Sequence, residues 1–130
     1  MIGIDTNVLL RWLVDDGRDR AQRTAAVQVL SDERVYVSVV TLVETMWVLR
    51  TAYERPWRDV VDLTHAMLAN AGVTIESASQ VGAALRDWEE YGAEPADHIV
   101  ARTGLRDGCE TTLTFDRKAS RSPHMRLLSA

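Results

Sequence analysis

The first residues of the chain place an apolar run directly before an acid. Met1 to Ile4 are apolar or glycine, Asp5 follows, and the polar pair Thr6-Asn7 leads into a second apolar run. A short apolar run bounded by polar residues is typical of a buried strand. The pattern predicts a buried strand whose last residue presents a carboxylate at the edge of a sheet, followed at once by a helix.

The rest of the chain alternates between helical and strand-like spacing of apolar residues. Helical spacing recurs in six stretches: 7–14, 18–30, 40–53, 57–69, 78–91 and 95–105. Alternating or β-branched runs predict four further strands: 34–39, 73–75, 111–115 and 125–128. This order implies an α/β fold with a parallel sheet and helices on both faces. Sites in such folds lie beyond the C-terminal ends of the strands.

One predicted helix, running to about residue 53, is apolar on nearly every side. Ser38 or Thr41 can cap it, and its apolar residues include Trp47. Helices of this composition are buried or contact a partner. Glu44 is the one acid inside it. Its carboxylate either lies on a narrow polar stripe with Thr41 and Thr45, or is buried and needs a cation.

Composition narrows the class of protein. The 130 residues carry a net charge of -4, which argues against a protein that coats nucleic acid non-specifically. No apolar stretch approaches the roughly 20 residues of a membrane span, and no basic region precedes the first apolar residues. Cys109 is the only cysteine, so an internal disulfide is excluded and a reducing compartment is favoured. We expect a cytoplasmic protein of one domain.

Three more acids stand where a strand ends or a helix begins. Asp5 and Asp116 follow predicted strands, and Asp97 lies in the first turn of the helix that Pro95 opens. Taken singly, each has a structural explanation. Asp5 and Asp116 can be helix N-caps, each contributing about 1 kcal/mol, and Asp97 suits the positive end of a helix dipole.

Together with Glu44, these acids favour a metal site. Clustered carboxylates repel, and at least one would stay protonated unless a divalent cation held them. Ligands that are all oxygen suit Mg²⁺ or Mn²⁺. Such ions polarise phosphodiesters and generate hydroxide from water. The four acids therefore predict metal-dependent phosphodiester hydrolysis.

Four segments of the chain resemble the PIN domain family, and more narrowly its VapC-type ribonuclease toxins of bacterial toxin–antitoxin pairs. The segments are Ile-Gly-Ile-Asp-Thr-Asn at 2–7, SVVTLVE at 38–44, ADHIVA at 96–101 and LTFDRKA at 113–119. Their order and spacing cover nearly the whole chain. The resemblance implies a single PIN domain over 1–130, a three-layer α/β/α sandwich around a central, mainly parallel sheet.

The same resemblance implies a metal-dependent endoribonuclease that leaves a 5′-phosphate and a 3′-hydroxyl. The catalytic acids would be Asp5, Glu44, Asp97 and Asp116. The Mg²⁺ or Mn²⁺ ligands would be Asp5, Asp97 and Asp116, and Glu44 would orient the metal-activated water that attacks RNA. The supporting polar residues would be Thr6, Asn7 and Thr114.

The resemblance also implies partners: an RNA substrate, a cognate antitoxin and a second copy in a homodimer. The antitoxins of such toxins lay an apolar segment in a groove formed by the early helices. Arg117, Lys118 and Arg121 beside Asp116 either contact RNA phosphates or an acidic antitoxin tail, or form a solvated face. His98 matches no fixed family position, and we expect it on the helix surface.

Two other classes of protein are compared with this one. A haloacid-dehalogenase-type phosphatase starts with a strand ending in Asp-x-Asp, but Asn7 stands at the second position and removes the general acid. A catalytically inactive PIN-like module that binds RNA or protein is the other alternative. The presence of all four acids argues against it.

Overall fold

The computed structural model describes residues 1–130, and its backbone divides into two compact units, Met1–Glu76 and Ser77–Ala130. Each unit contains its own helices and its own parallel strands. The expectation of a single domain over 1–130 stays a prediction. None of the helices is both long enough and apolar enough to cross a lipid bilayer.

The first unit contains three strands and four helices. In chain order they are β1 (Ile2–Gly3), α1 (Thr6–Leu13), α2 (Arg20–Asp32), β2 (Val35–Val37), α3 (Val39–Thr51), α4 (Trp57–Ala69) and β3 (Val73–Ile75). The strands are parallel and lie in the order β1-β2-β3. Val35 of β2 pairs with Ile2 on one side and Val73 on the other. Val35 and Val37 are fully buried, so the core of this unit is centred on β2.

The predicted opening strand is present, but the prediction that it is buried is wrong. β1 has only two residues, and both Ile2 and Gly3 are exposed, whereas Ile4 after them is buried. The reason is position: β1 is at the end of the strand order and pairs with β2 alone. Period and composition identify a strand but do not reveal whether it lies in the middle of a sheet.

Helix α3 has one buried and one exposed apolar face. Ser38, rather than Thr41, is its N-cap, since the Ser38 hydroxyl accepts a hydrogen bond from the Thr41 amide at 3.1 Å. Leu42, Thr45, Met46 and Leu49 are buried. On the opposite side, Val40 is 76% and Trp47 59% exposed, and Glu44 is exposed between them. The expected polar stripe therefore excludes Thr45 and includes two apolar side chains.

The second unit places two helices before two strands. They are α5 (Ala78–Tyr91), α6 (Pro95–Arg106), β4 (Thr112–Thr114) and β5 (Met125–Leu127), with a single 3-10 turn at Ala119–Arg121. Strands β4 and β5 are parallel, with Thr112 opposite Met125. The helices pack against each other through buried apolar residues that include Val81, Leu85 and Ile99.

A buried ion pair also joins α5 to α6. Asp87 is 5% exposed, and its carboxylate accepts hydrogen bonds from Nε and Nη2 of Arg102 at 2.6 and 2.8 Å. This bidentate pair holds the pKa of Asp87 below its ordinary value, although burial alone would raise it. The pair compensates the buried charge of Asp87, and it fixes one helix against the other through the partly exposed Arg102.

The predicted α/β class is confirmed. All strand pairs are parallel; α-helices separate the strands of the first unit along the chain, and a 3-10 turn separates β4 from β5. Helix ends fall within two residues of the predicted ends, as expected where caps such as Ser38 and Gly92 are visible in the sequence.

We expect Asp87→Asn to lower the free energy of unfolding at pH 7 by about 2 kcal/mol, because it leaves the Arg102 charge without a buried partner. The ionised Asp87 has a lowered folded-state pKa, so its contribution is fully present above the ordinary aspartate pKa of about 3.9 and is lost as pH falls through the folded value. Urea unfolding at several pH values measures both effects.

The matched control is Asp107→Asn, which removes an acid from the exposed pair with Arg106 and should cost under about 0.5 kcal/mol. The Asp87→Asn variant should show a smaller loss of stability below about pH 4 than the natural protein. Equal acid sensitivity of the two proteins would contradict this account.

Candidate active site

The side chain of Asp5 caps a helix and also leaves a carboxylate oxygen available to bind a ligand. It lies two residues beyond β1 and is the N-cap of α1, where its Oδ1 accepts a hydrogen bond from the Val8 amide at 3.0 Å. The expected cap is therefore present. The carboxylate is nevertheless exposed, and its second oxygen is not used by this bond. Capping leaves Asp5 able to bind a ligand.

Asp5 and Glu44 line the same cavity in the first unit. Its volume is about 470 Å³. The lining residues come from the start of α1 and the N-terminal half of α3: Asp5, Thr6, Asn7, Leu10, Val40, Thr41 and Glu44. Carboxylates from a strand exit and a helix are thus brought to one solvent-accessible space. The predicted supporting residues Thr6 and Asn7 lie in the same wall.

A second cavity, of about 280 Å³, lies between α1 and α2. Four of its lining residues are apolar and four are polar: Val8, Ala25, Ala26 and Val29, and Asp5, Asn7, Arg11 and Gln22. Arg11 donates a hydrogen bond to Gln22 at 3.0 Å across the two helices. Asp5 therefore borders two cavities of this unit, one that contains two acids and one with an apolar wall.

In the second unit, Asp116 repeats the placement of Asp5. It lies two residues beyond the end of β4, and its Oδ1 accepts a hydrogen bond from the Lys118 amide at 2.8 Å. Its own amide donates to the Thr114 hydroxyl at 3.0 Å. Thr114 thus orders the turn that presents Asp116, which the sequence pattern alone did not reveal.

Asp97 is half-buried in the first turn of α6, and its pKa is raised. Burial is the largest cause, because it disfavours the charged form. The negative charge of Asp116 raises the pKa further, whereas a hydrogen bond from the Glu94 backbone and the nearby His98 lower it. The two carboxylates are therefore close enough to repel each other.

The acids occur as two pairs. Asp5 and Glu44 share a cavity in the first unit, and Asp97 and Asp116 interact in the second. No group of three or more His, Cys, Asp or Glu side chains is placed to hold a metal ion. The donor chemistry nevertheless fits a hard cation, because each pair offers only oxygen and Mg²⁺ commonly takes one or two carboxylates and several waters. A cation would also offset the repulsion that raises the pKa of Asp97.

The predicted basic segment is exposed and follows Asp116 directly. Arg117, Lys118 and Arg121 all lie at the surface. The guanidinium of Arg121 lies beside Gly92, with Nη1 3.5 Å from the position that a Cβ on this glycine would occupy. This places one cation at the loop that precedes α6 and Asp97. Cations here suit phosphate groups by charge.

The prediction that His98 lies on the helix surface is wrong. His98 is 0% exposed, and its Nε2 is 2.6 Å from the carbonyl oxygen of Gly92. The spacing of Pro95, His98, Ile99 and Arg102 is the signal for its burial, since residues at i, i+3, i+4 and i+7 share one helix face. The first three are buried, and the fourth pairs with Asp87.

Comparison with known proteins gives one finding. A family model described as PIN domain matches residues 2–124 of the chain. The matched range contains all four acids. No curated protein matches the chain.

We expect Asp116→Asn to lower the pKa of Asp97, because it removes the neighbouring negative charge. The value should remain above that of an ordinary aspartate, since burial is the larger cause and persists. Titration of the Asp97 carboxyl carbon by NMR measures this directly. Asp107→Asn, an exposed acid in the same unit, is the control and should leave Asp97 unchanged. If the pKa of Asp97 is the same in Asp116→Asn as in the natural protein, the two carboxylates do not interact.

Proposed function

Because this chain belongs to the PIN domain family, whose members are typically nucleases and generally use divalent metal ions, we propose that it is a metal-dependent endoribonuclease. We further propose that it is the VapC-type toxin of a toxin–antitoxin pair and acts in the cytoplasm. The observation that carries the proposal is the family match over 2–124, with an acid at each of the four motif positions.

The proposed catalytic residues are Asp5, Glu44, Asp97 and Asp116, with Thr6, Asn7 and Thr114 as supporting polar residues. Asp5, Asp97 and Asp116 would hold Mg²⁺ or Mn²⁺. When bound, such an ion lowers the pKa of water and stabilises charge on a leaving oxygen. Glu44 is exposed beside the Asp5 cavity, where its carboxylate can accept a proton from water and orient it.

The local hydrogen bonds support these roles. The bonds from Val8 to Asp5 and from Lys118 to Asp116 fix one oxygen of each carboxylate, so the second oxygen is held in a defined direction. Positioned groups avoid the entropy cost of ordering during reaction. Arg117, Lys118 and Arg121 supply positive charge for RNA phosphates, because they are exposed and follow Asp116.

We expect purified protein with Mg²⁺ or Mn²⁺ to cleave RNA, and Asp5→Asn to reduce the rate by at least about 100-fold, since electrostatic groups in active sites typically contribute this much. This substitution removes the negative charge of Asp5 and keeps its role as a helix cap. Asparagine also accepts the Val8 amide as an N-cap, so the fold should be kept. Circular dichroism and thermal unfolding check the fold, and gel analysis of RNA fragments measures the rate.

Asp19→Asn is a matched control for this variant. Asp19 is also an N-cap aspartate, of α2, and accepts a hydrogen bond from the Gln22 amide at 3.1 Å. It lines neither cavity, so the control should keep full activity. Absence of cleavage across a broad RNA panel with both metals would contradict the proposal that the protein is an enzyme. It would favour an inactive module that binds RNA or protein.

We propose that the apolar cavity between α1 and α2 receives the antitoxin. Its size and apolar wall suit side chains of a docked segment, and Arg11 offers a charged contact at its border. Because Asp5 lines this cavity, an occupant would also lie beside one of the proposed catalytic acids. A homodimer that covers the exposed Val40 and Trp47 of α3 is the second proposed assembly.

We expect expression of this chain to stop growth and a neighbouring open reading frame to restore it. Ala25→Glu should abolish the restoration, because it adds a charged side chain to the apolar wall, and leave RNA cleavage by the purified protein unchanged. Ala25 is exposed, so the fold should tolerate the change. Growth assays with both genes provide the measurement, and Ala71→Glu, at an exposed alanine outside the cavity, is the control. Unimpaired rescue of Ala25→Glu would place the antitoxin elsewhere.

A further inference from the structure

His98 is a buried polar side chain to which the proposed reaction assigns no role. It lies in the first half of α6, directly after Asp97, and is completely buried. Its Nε2 must carry the proton in the contact with Gly92, because a carbonyl oxygen only accepts hydrogen bonds. The other ring nitrogen, Nδ1, is buried without a hydrogen-bond partner. The Gly92 bond is therefore the only hydrogen bond of this imidazole.

The segment that His98 contacts has an unusual backbone. Gly92 has a φ of 72° and Ala93 a φ of 66°, so two successive residues are left-handed between α5 and α6. For alanine this conformation costs about 1–2 kcal/mol, and such residues persist where surrounding contacts determine them. Gly92 is held on both sides: its amide donates to the Trp88 carbonyl at 3.0 Å, and its carbonyl accepts from His98.

The same segment leads into the residues that hold Asp97. Glu94 is the N-cap of α6, and Asp97 lies in the first turn of that helix. The Asp97 amide in turn donates to the Glu94 carbonyl at 3.0 Å. The hydrogen bond from His98 to the Gly92 carbonyl thus closes the chain from Gly92 to His98 into a ring. Asp97 is bonded to Glu94, which lies within this ring.

We propose that His98 is the positioning residue for Asp97: by donating from Nε2 to the Gly92 carbonyl, it holds the segment from Gly92 to Glu94, whose carbonyl accepts the Asp97 amide, and so fixes Asp97 at the start of α6. The catalytic consequence rests on the proposed function, whereas the structural consequence does not. A space-filling role alone would be served equally by an apolar side chain of similar volume. The unpartnered Nδ1 makes the imidazole a costly filler, since a buried polar atom without a partner costs about 1–3 kcal/mol.

Three variants separate positioning from packing. His98→Gln keeps an N–H donor near the place of Nε2, and His98→Leu removes the donor while filling a similar volume. Ile99→Val is the matched control, because Ile99 is buried in the same turn of α6 and its side chain makes no hydrogen bond. We expect the control to unfold at a slightly lower temperature than the natural protein, because one buried methyl group is removed. Thermal unfolding verifies that each variant is folded.

Amide hydrogen exchange is the first readout, and it requires no activity. In His98→Leu we expect exchange at the Gly92 and Asp97 amides, which donate to the Trp88 and Glu94 carbonyls, to rise by at least about tenfold beyond any change in Ile99→Val, because the segment opens locally. His98→Gln should restore most of the protection. Equal exchange in the leucine and control variants, or a glutamine variant that behaves as the leucine variant does, would overturn the proposal.

RNA cleavage is the second readout. His98→Leu should lower kcat by about 10- to 100-fold with little change in KM, since small displacements of a catalytic group reduce the rate of the chemical step. The His98→Gln variant should recover most of the rate, and Ile99→Val should keep it. If exchange rises while kcat is unchanged, the link to Asp97 is overturned. If the natural protein cleaves no RNA, the proposed function fails, and the exchange pattern still decides whether His98 holds the segment.

Discussion

A hydrogen bond from a backbone amide to one carboxylate oxygen positions two of the four proposed site acids. Val8 donates to Asp5, and Lys118 donates to Asp116. Bonds to an ionised group are stronger than neutral ones, and they remove rotamer freedom from the side chain. The structural explanation and the chemical explanation of each acid are therefore compatible, because a carboxylate has a second oxygen. The cap decides where that oxygen points.

Fixed carboxylates have an electrostatic consequence. Asp97 is held half-buried in the first turn of α6, and Asp116 is bonded to the Lys118 amide, so burial first and the charge of Asp116 second keep the pKa of Asp97 raised. The repulsion disfavours the folded state and at the same time increases the gain on binding a cation. In the same unit, the ion pair Asp87–Arg102 joins α5 to α6 and helps to offset the cost of this repulsion. A fully buried Ile99 adds apolar packing to the same contact.

Local features of this chain were predictable from sequence, and long-range ones were not. Ser38 as a cap, Gly92 as the end of α5 and Pro95 as the start of α6 follow from backbone chemistry within a few residues. The exposure of β1 and Trp47 depends on which elements lie beside them, and no local rule supplies that. The four acids are proposed because each stands at a motif position, and their joint role stays a prediction, whereas His98 lies at no motif position.

The exposed face of α3 links the proposed site to the proposed assembly. The buried side of α3 packs against α1 and α4, and the apolar residues on its other side are left for a partner. Trp47 lies one turn from Glu44 on the other side, as does Val40. A partner covering Trp47 therefore also removes water from around Glu44, and desolvation strengthens every electrostatic interaction of that carboxylate. On this argument, assembly and the electrostatic interactions of the proposed site are coupled through a single helix face.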